Sequence, residues 1–259
     1  MSGSQSPAAA EAADRTLAFA PAPQASVRLL CLPHAGAGAS IFRPWSRALP
    51  GWIEVRAVQL PGRDGRRREP LPPSVGALAD LLAAGLGAAA AEPYALFGHS
   101  MGALLAFEVA RRLEARGRPP VHVFLAGYGA PHVFRSTTRL HLMDHDEVVA
   151  ELRRGGATPD VVAADPALMR LYVPILQADL ALCAAHAEPD AEERPIATAI
   201  SAFAGTADDE VPVEAVAAWA DLTTGPFRLR TLPGGHFFPA SARDALLAAV
   251  RRDLLPRRA

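Results

Sequence analysis

Short apolar runs alternate with longer stretches of helical periodicity along most of this chain. The short runs Val27–Leu32, Ile53–Val58, Tyr94–Gly98, Val121–Gly127, Ile200–Ala204 and Phe227–Thr231 read as strands. The stretches Ser74–Ala90, Met101–Arg116, Val213–Asp221 and Ala240–Leu254 read as core helices. Strands apolar at nearly every position need cover on both faces, and strands separated by helices pair in parallel. The pattern predicts an α/β fold, a mostly parallel sheet with helices on both sides.

The alternation fails in two places. Residues 1–25 are rich in Ala, Ser, Pro and Gln and read as a disordered leader, which leaves one domain over residues 26–259. Residues 135–193 contain two helical patterns and no convincing strand, an insertion in the domain. Asp144-His145-Asp146-Glu147 can cap the first helix, which ends at Gly155-Gly156; Asp165-Pro166 places a cap and an N1 proline at the start of the second. The second helix carries Leu168, Leu171, Tyr172, Ile175, Leu176, Leu180 and Leu182, more apolar surface than one core-facing stripe needs. Pro174 is expected to kink it.

Composition narrows the function classes. At 259 residues with half of them hydrophobic, the chain can bury one sizeable core. A net charge of −1 argues against nucleic acid as a partner. Cys31 and Cys183 provide neither a disulfide framework nor metal-ligand spacing. No membrane-spanning run and no basic-then-apolar secretory leader are read, so the expectation is a cytoplasmic protein without membrane contact, favoured as a monomer.

The chemistry centres on Gly98-His99-Ser100-Met101-Gly102, between the strand-like Tyr94–Phe97 and the helix from Ala103. G-x-S-x-G in a strand–turn–helix setting is a nucleophile elbow: the glycines allow a tight turn that lifts the Ser100 hydroxyl above the sheet edge. It also aims the N–H of Met101 toward developing negative charge. A serine needs a base, and the acid and then the histidine follow it in the chain. Of eight histidines, His236 in Pro233-Gly234-Gly235-His236-Phe237-Phe238 has the right place, after a short β-run and before the last helix. The acid should follow Ile200–Ala204, where Asp208, Asp209 and Glu210 stand together. Asp208 is the choice and Asp209 the reserve, since the spacing does not separate them. The second oxyanion donor should come from the small-residue loop Pro33–Ser40, through the N–H of Ala35, with His34 lining the site. Leu171, Ile175 and Leu176 are the expected pocket face of the insertion, as a lid over Ser100. Arg63, Arg66, Arg67 and Arg68 form a charge run that normally marks a solvated face. The sharper reading of Arg66, Arg67 and Arg68 is a dock for an acidic partner.

Several separated motifs share a resemblance. Pro33-His34-Ala35-Gly36 with Ser40 and Trp45, Gln59-Leu60-Pro61-Gly62-Arg63, the elbow, and Thr224-Gly225-Pro226 before Pro233–Phe238 resemble the type II thioesterases. Those enzymes stand alone beside modular polyketide synthases and non-ribosomal peptide synthetases. The resemblance runs from about Val27 to Leu255. It implies an α/β-hydrolase fold with a helical lid. It implies hydrolysis of acyl groups from the phosphopantetheine arm of acyl- or peptidyl-carrier proteins, with no metal or cofactor of the enzyme's own. Carried over by position, the triad falls on Ser100, Asp208 and His236. Ala37 stands where the family often has a second glycine, and Asp209 where it often has proline. The competing readings are a small-ester carboxylesterase or acyltransferase on the same fold, and a non-catalytic binding protein. The intact Ser, Asp and His set disfavours the last.

Overall fold

The computed structural model describes residues 15–89, 93–155, 164–186 and 195–255. Residues 1–14 of the expected leader, and 156–163 and 187–193 of the expected insertion, lie outside the described residues.

Seven strands form one sheet: β1 (Thr16–Leu17), β2 (Val27–Leu32), β3 (Ile53–Val58), β4 (Tyr94–His99), β5 (His122–Ala126), β6 (Ile200–Gly205) and β7 (Phe227–Leu232). Their order is β1-β3-β2-β4-β5-β6-β7, parallel except for β1. The described α-helices of five residues or more are α1 (Val75–Ala89), α2 (Met101–Ala115), α3 (His145–Gly155), α4 (Pro166–Ala185), α5 (Val213–Ala217) and α6 (Arg243–Leu254). The six strands expected from the sequence are present within one residue at each end.

The expectation fails at residues 15–25. Thr16 and Leu17 pair with Val58 and Ala57, the Arg15 carbonyl accepts from the Gln59 N–H, and the Arg15 guanidinium donates to the Leu81 carbonyl. A two-residue strand leaves no periodicity to read; the open edge of β3 recruits it.

Alternate residues of β2 to β6 enter two apolar layers. Leu30, Leu32, Leu96, Val123, Leu125 and Ala202 pack beneath α1, α2 and the insertion. Leu29, Cys31, Phe97, Phe124 and Phe203 face α6, Trp45 and Phe238. Both faces are therefore covered, which is why the strands lack polar alternation. Burial of these side chains stabilises the sheet by roughly 1.5–3 kcal/mol for each large one.

Both insertion helices carry the expected caps. Asp144 accepts from the Glu147 N–H while Glu147 accepts from the Asp144 N–H, a reciprocal capping box. Asp165 accepts from the N–H groups of Ala167 and Leu168, with Pro166 following. α4 runs unbroken through Pro174. Gln177 donates to the carbonyls of Leu140 and Met143, and Val148, Leu152, Met169 and Val173 join the core under the sheet. By length and composition α4, with a mean hydropathy of 1.4 over eighteen of its residues, could cross a membrane, where the sequence carries the expectation of no spanning run. In the fold it is tied down by the fully buried Asp179.

Candidate active site

The sheet brings the chemistry-bearing residues to one margin. Ser100 follows β4, the His34–Ala35 segment follows β2, Asp208 follows β6 and His236 follows β7. All lie beyond the carboxyl ends of parallel strands, where such sheets leave a crevice.

The elbow is built by contact. A Cβ on Gly98 would overlap the Gly102 carbonyl, and one on Gly102 would strike the carbonyls of Leu32 and Pro33. Only glycine lets α2 start this close to β2 and β4. Ser100 takes φ 54° and ψ −124°, a conformation that costs on the order of 1–3 kcal/mol. Its N–H donates to the Ala126 carbonyl at 2.8 Å, which holds the turn.

Ser100, His236 and Asp208 form one hydrogen-bonded line. His236 Nε2 lies 3.0 Å from Ser100 Oγ, and Nδ1 lies 3.0 Å from Asp208 Oδ2. A carboxylate only accepts, so Nδ1 carries the proton and Nε2 is free to accept from the serine hydroxyl. The other oxygen of Asp208 accepts from the N–H groups of Glu210 and Val211. That turn aims Asp208 inward and leaves Asp209 and Glu210 exposed.

Three imidazoles meet around the serine, and their environments differ. Burial pushes His99 well below its ordinary value, helped by its neighbours His34 and His236. Burial also lowers His34. Burial would lower His236 too, but the Asp208 hydrogen bond and the charges of Glu210 and Asp208 together outweigh it, and its net shift is upward. Asp208 moves down: its burial is outweighed by the His236 hydrogen bond and charge and by the two backbone N–H groups. His99 Nε2 donates to the His236 carbonyl at 2.8 Å, so one neutral imidazole holds the backbone of the other. Sequence reasoning assigned His99 no part; its place beside the serine was the available signal.

Ala35, Met101 and His34 line a cavity of about 300 Å³ that Ser100 and His236 also reach. Its apolar walls include Tyr128, Phe134, Leu140 and Leu152, with Tyr172, Leu176, Leu180 and Cys183 from α4, and Ser136, Thr137, Thr138 and Glu210 add a polar stretch. Burial holds the Cys183 thiol up at about 12. Of the three residues expected on the pocket face of α4, Leu176 lines the cavity, whereas Leu171 is 69% exposed and Ile175 is absent from the wall. The lining positions 172, 176, 180 and 183 share a face at helical spacing, and 171 and 175 lie one residue, about 100°, around from it.

The arginine run is also corrected. Arg66 is buried, paired through two nitrogens with Glu69 and bonded to the Gln59 carbonyl. Arg63 is buried against Asp179. Only Arg67 and Arg68 of the run are exposed. Among the described residues no group of three or more His, Cys, Asp or Glu could hold a metal ion.

Comparison with known proteins agrees with this geometry. Residues 27–254 match the family model described as Thioesterase domain. A probable cadicidin biosynthesis thioesterase of Streptomyces griseus is 40% identical over 241 residues, 93% of this chain and 66% of that protein. The gramicidin S biosynthesis protein GrsT of Aneurinibacillus migulanus is 36% identical over 231 residues, 89% of this chain and 90% of its own length. The solved structure of the type II thioesterase BorB from the borrelidin biosynthetic cluster superposes with a TM-score of 0.85 at 35% identity, covering 97% of this chain and all of that one. With the sheet, the elbow and the match over nearly the whole chain in agreement, the protein belongs to the thioesterase domain family, hydrolases of the α/β-hydrolase fold that act on thioesters.

Proposed function

We propose that this chain is a stand-alone thioesterase that removes acyl groups, including stalled or aberrant ones, from the phosphopantetheine arm of acyl- or peptidyl-carrier proteins in polyketide or non-ribosomal peptide assembly. The observation that carries the reading is the Ser100–His236–Asp208 line opening into an apolar cavity of about 300 Å³. Ser100 is the nucleophile, His236 its base, and Asp208 the group that fixes the His236 tautomer and stabilises the imidazolium. His236 takes the Ser100 proton as Oγ attacks the thioester carbonyl. The N–H groups of Met101 and Ala35 receive the oxyanion. His236 then protonates the departing thiol, whose pKa of about 8.5 makes it an easy leaving group. Water, deprotonated by His236, releases the acid and restores Ser100. Every step is carried by side chains and backbone of this chain, so the reading includes no metal or organic cofactor; the pantetheine belongs to the partner.

α3 and α4 act as the lid, with Tyr172, Leu176 and Leu180 over the acyl chain. Arg67 and Arg68 are the exposed cations offered to an acidic carrier protein. The protein works in the cytoplasm as a single copy.

The test uses a panel of acyl-carrier proteins weighed intact before and after incubation. Wild type should return the free pantetheinyl form, and Ser100→Ala, equally folded, should leave every acyl group in place. A folded Ser100→Ala protein that still unloads carriers would end this reading. Faster turnover of matched oxygen esters than of thioesters would favour the carboxylesterase alternative.

A further inference from the structure

Asp179 sits midway along the apolar helix α4, and none of its surface is exposed. Three groups converge on its carboxylate. Arg63 Nη1 donates to Oδ2 and Nη2 to Oδ1, both at 2.6 Å, and the Gly36 N–H donates to Oδ2 at 2.7 Å. Arg63 is itself 3% exposed, and its remaining donors reach the Ala37 carbonyl at 3.2 Å and the Pro61 carbonyl at 3.4 Å. The ion pair therefore joins three distant pieces of chain: the loop after β2, the loop after β3, and the insertion helix.

Ala35, the proposed oxyanion donor, lies at the centre of what is held. Its carbonyl accepts from His34 Nδ1 at 2.9 Å, and the next N–H, of Gly36, is fixed by Asp179. Gly36 has φ +77°, and a Cβ there would come within 2.9 Å of the Tyr172 ring and hydroxyl on α4. The peptide after Ala35 is pinned on both sides. The peptide that carries the Ala35 N–H is held through the His34 carbonyl, which accepts from the Ala37 N–H at 3.1 Å while the Ala37 carbonyl accepts from Arg63. The direction of the Ala35 N–H therefore follows from where the ion pair and α4 sit. A purely apolar pair at 63 and 179 would hold the helix at less desolvation cost, since buried ion pairs are often no more stabilising than apolar replacements. An apolar residue at 179 would have no oxygen for the Gly36 N–H.

We propose that Arg63 and Asp179 are positioning residues for the oxyanion hole: they set the Ala35 N–H and make its alignment depend on the docking of α4. The proposal rests on the reading of Ser100 and Ala35 given above.

The test is the double variant Arg63→Met with Asp179→Leu, assayed on a small acyl-pantetheine thioester that needs no protein docking. The melting temperature should equal or exceed that of wild type. kcat should fall by about 10²-fold with KM nearly unchanged, the signature of a lost transition-state contact. Inhibition by an alkyl trifluoromethyl ketone, whose serine adduct carries the oxyanion, should weaken in parallel with kcat. A double variant with native melting and native kcat would overturn the positioning role. Should it melt below wild type, Arg63→Lys carries the test: lysine keeps the charge but cannot span both Asp179 oxygens and the Ala37 carbonyl. Its kcat should drop about tenfold at constant KM, and an unchanged kcat would overturn the proposal. Ser100→Ala measured alongside separates the two readings. If it stays active, the site assignment has failed; if it is dead while the double variant is fully active, only the positioning role has.

Discussion

At the scale of single residues, the site separates one imidazole from two others. His34 and His99 are held neutral, while His236 binds its proton more tightly than a free imidazole because Asp208 faces it. A base must be unprotonated, so kcat/KM should rise with pH through a midpoint above the ordinary 6.5. Stability should move the other way. A raised histidine contributes fully below 6.5 and loses its contribution as pH rises through its folded value. A lowered Asp208 contributes above 3.8 and loses it as pH falls through its folded value. The pair thus stabilises most between 3.8 and 6.5, where the proposed base is idle. Melting curves over pH 2–9 and rate profiles over pH 4–9 check both signs, and a rate midpoint below 6.5 would contradict them. Asp208→Asn should abolish the stability window and lower kcat by about 10⁴, the cost known for that change in serine proteases, while Asp209→Asn should do neither. Ser100 and His236 were legible because glycines and strand order mark their places. Asp208 was legible only as one of two, because the choice lies in which carboxylate the N–H groups of Glu210 and Val211 turn inward.

At the scale of elements, α4 divides its apolar residues between cavity, core and solvent. Leu176 lines the cavity, Val173 and Met169 pack in the core, and Leu171 faces out. Leu176→Trp should slow hydrolysis of long acyl chains far more than of acetyl or propionyl, because it removes volume and leaves the serine untouched. Leu171→Trp should leave the chain-length profile as it is. Equal losses at every chain length for Leu176→Trp would put that residue in a purely structural role. The sequence showed this helix but not its faces, because it is apolar nearly all round and periodicity points nowhere in particular. Arg63 was misread for a related reason: it looks like part of a solvated run until Asp179, 116 positions away, is folded against it. Strands β2 to β6 were read well because burial on both faces leaves a signal in nearly every residue, while β7, half exposed at the margin, shows instead the alternation of Phe227, Leu229 and Thr231 with Arg228 and Arg230. β1 was missed because its position is decided by the edge of β3 alone.

At the scale of the whole molecule, each side of the sheet ends differently. One margin is β1, only two residues long; the other is β7, where Arg228 and Arg230 flank Leu229 and both reach Asp253 of α6. An open strand margin is a template on which another chain can lay its own backbone. Brevity at one side and bulky charge at the other are two ways proteins blunt that tendency. Among the described residues, these two margins therefore offer copies of this protein a poor seam along which to knit their sheets into a continuous ribbon. Light scattering across a wide concentration range should return the mass of one chain. A mass that climbed with concentration, with β7 amides newly protected from hydrogen exchange, would show that the guard fails. Crowded among the large assembly-line enzymes it is proposed to serve, a protein guarded at these margins would meet them through the loops around its catalytic crevice.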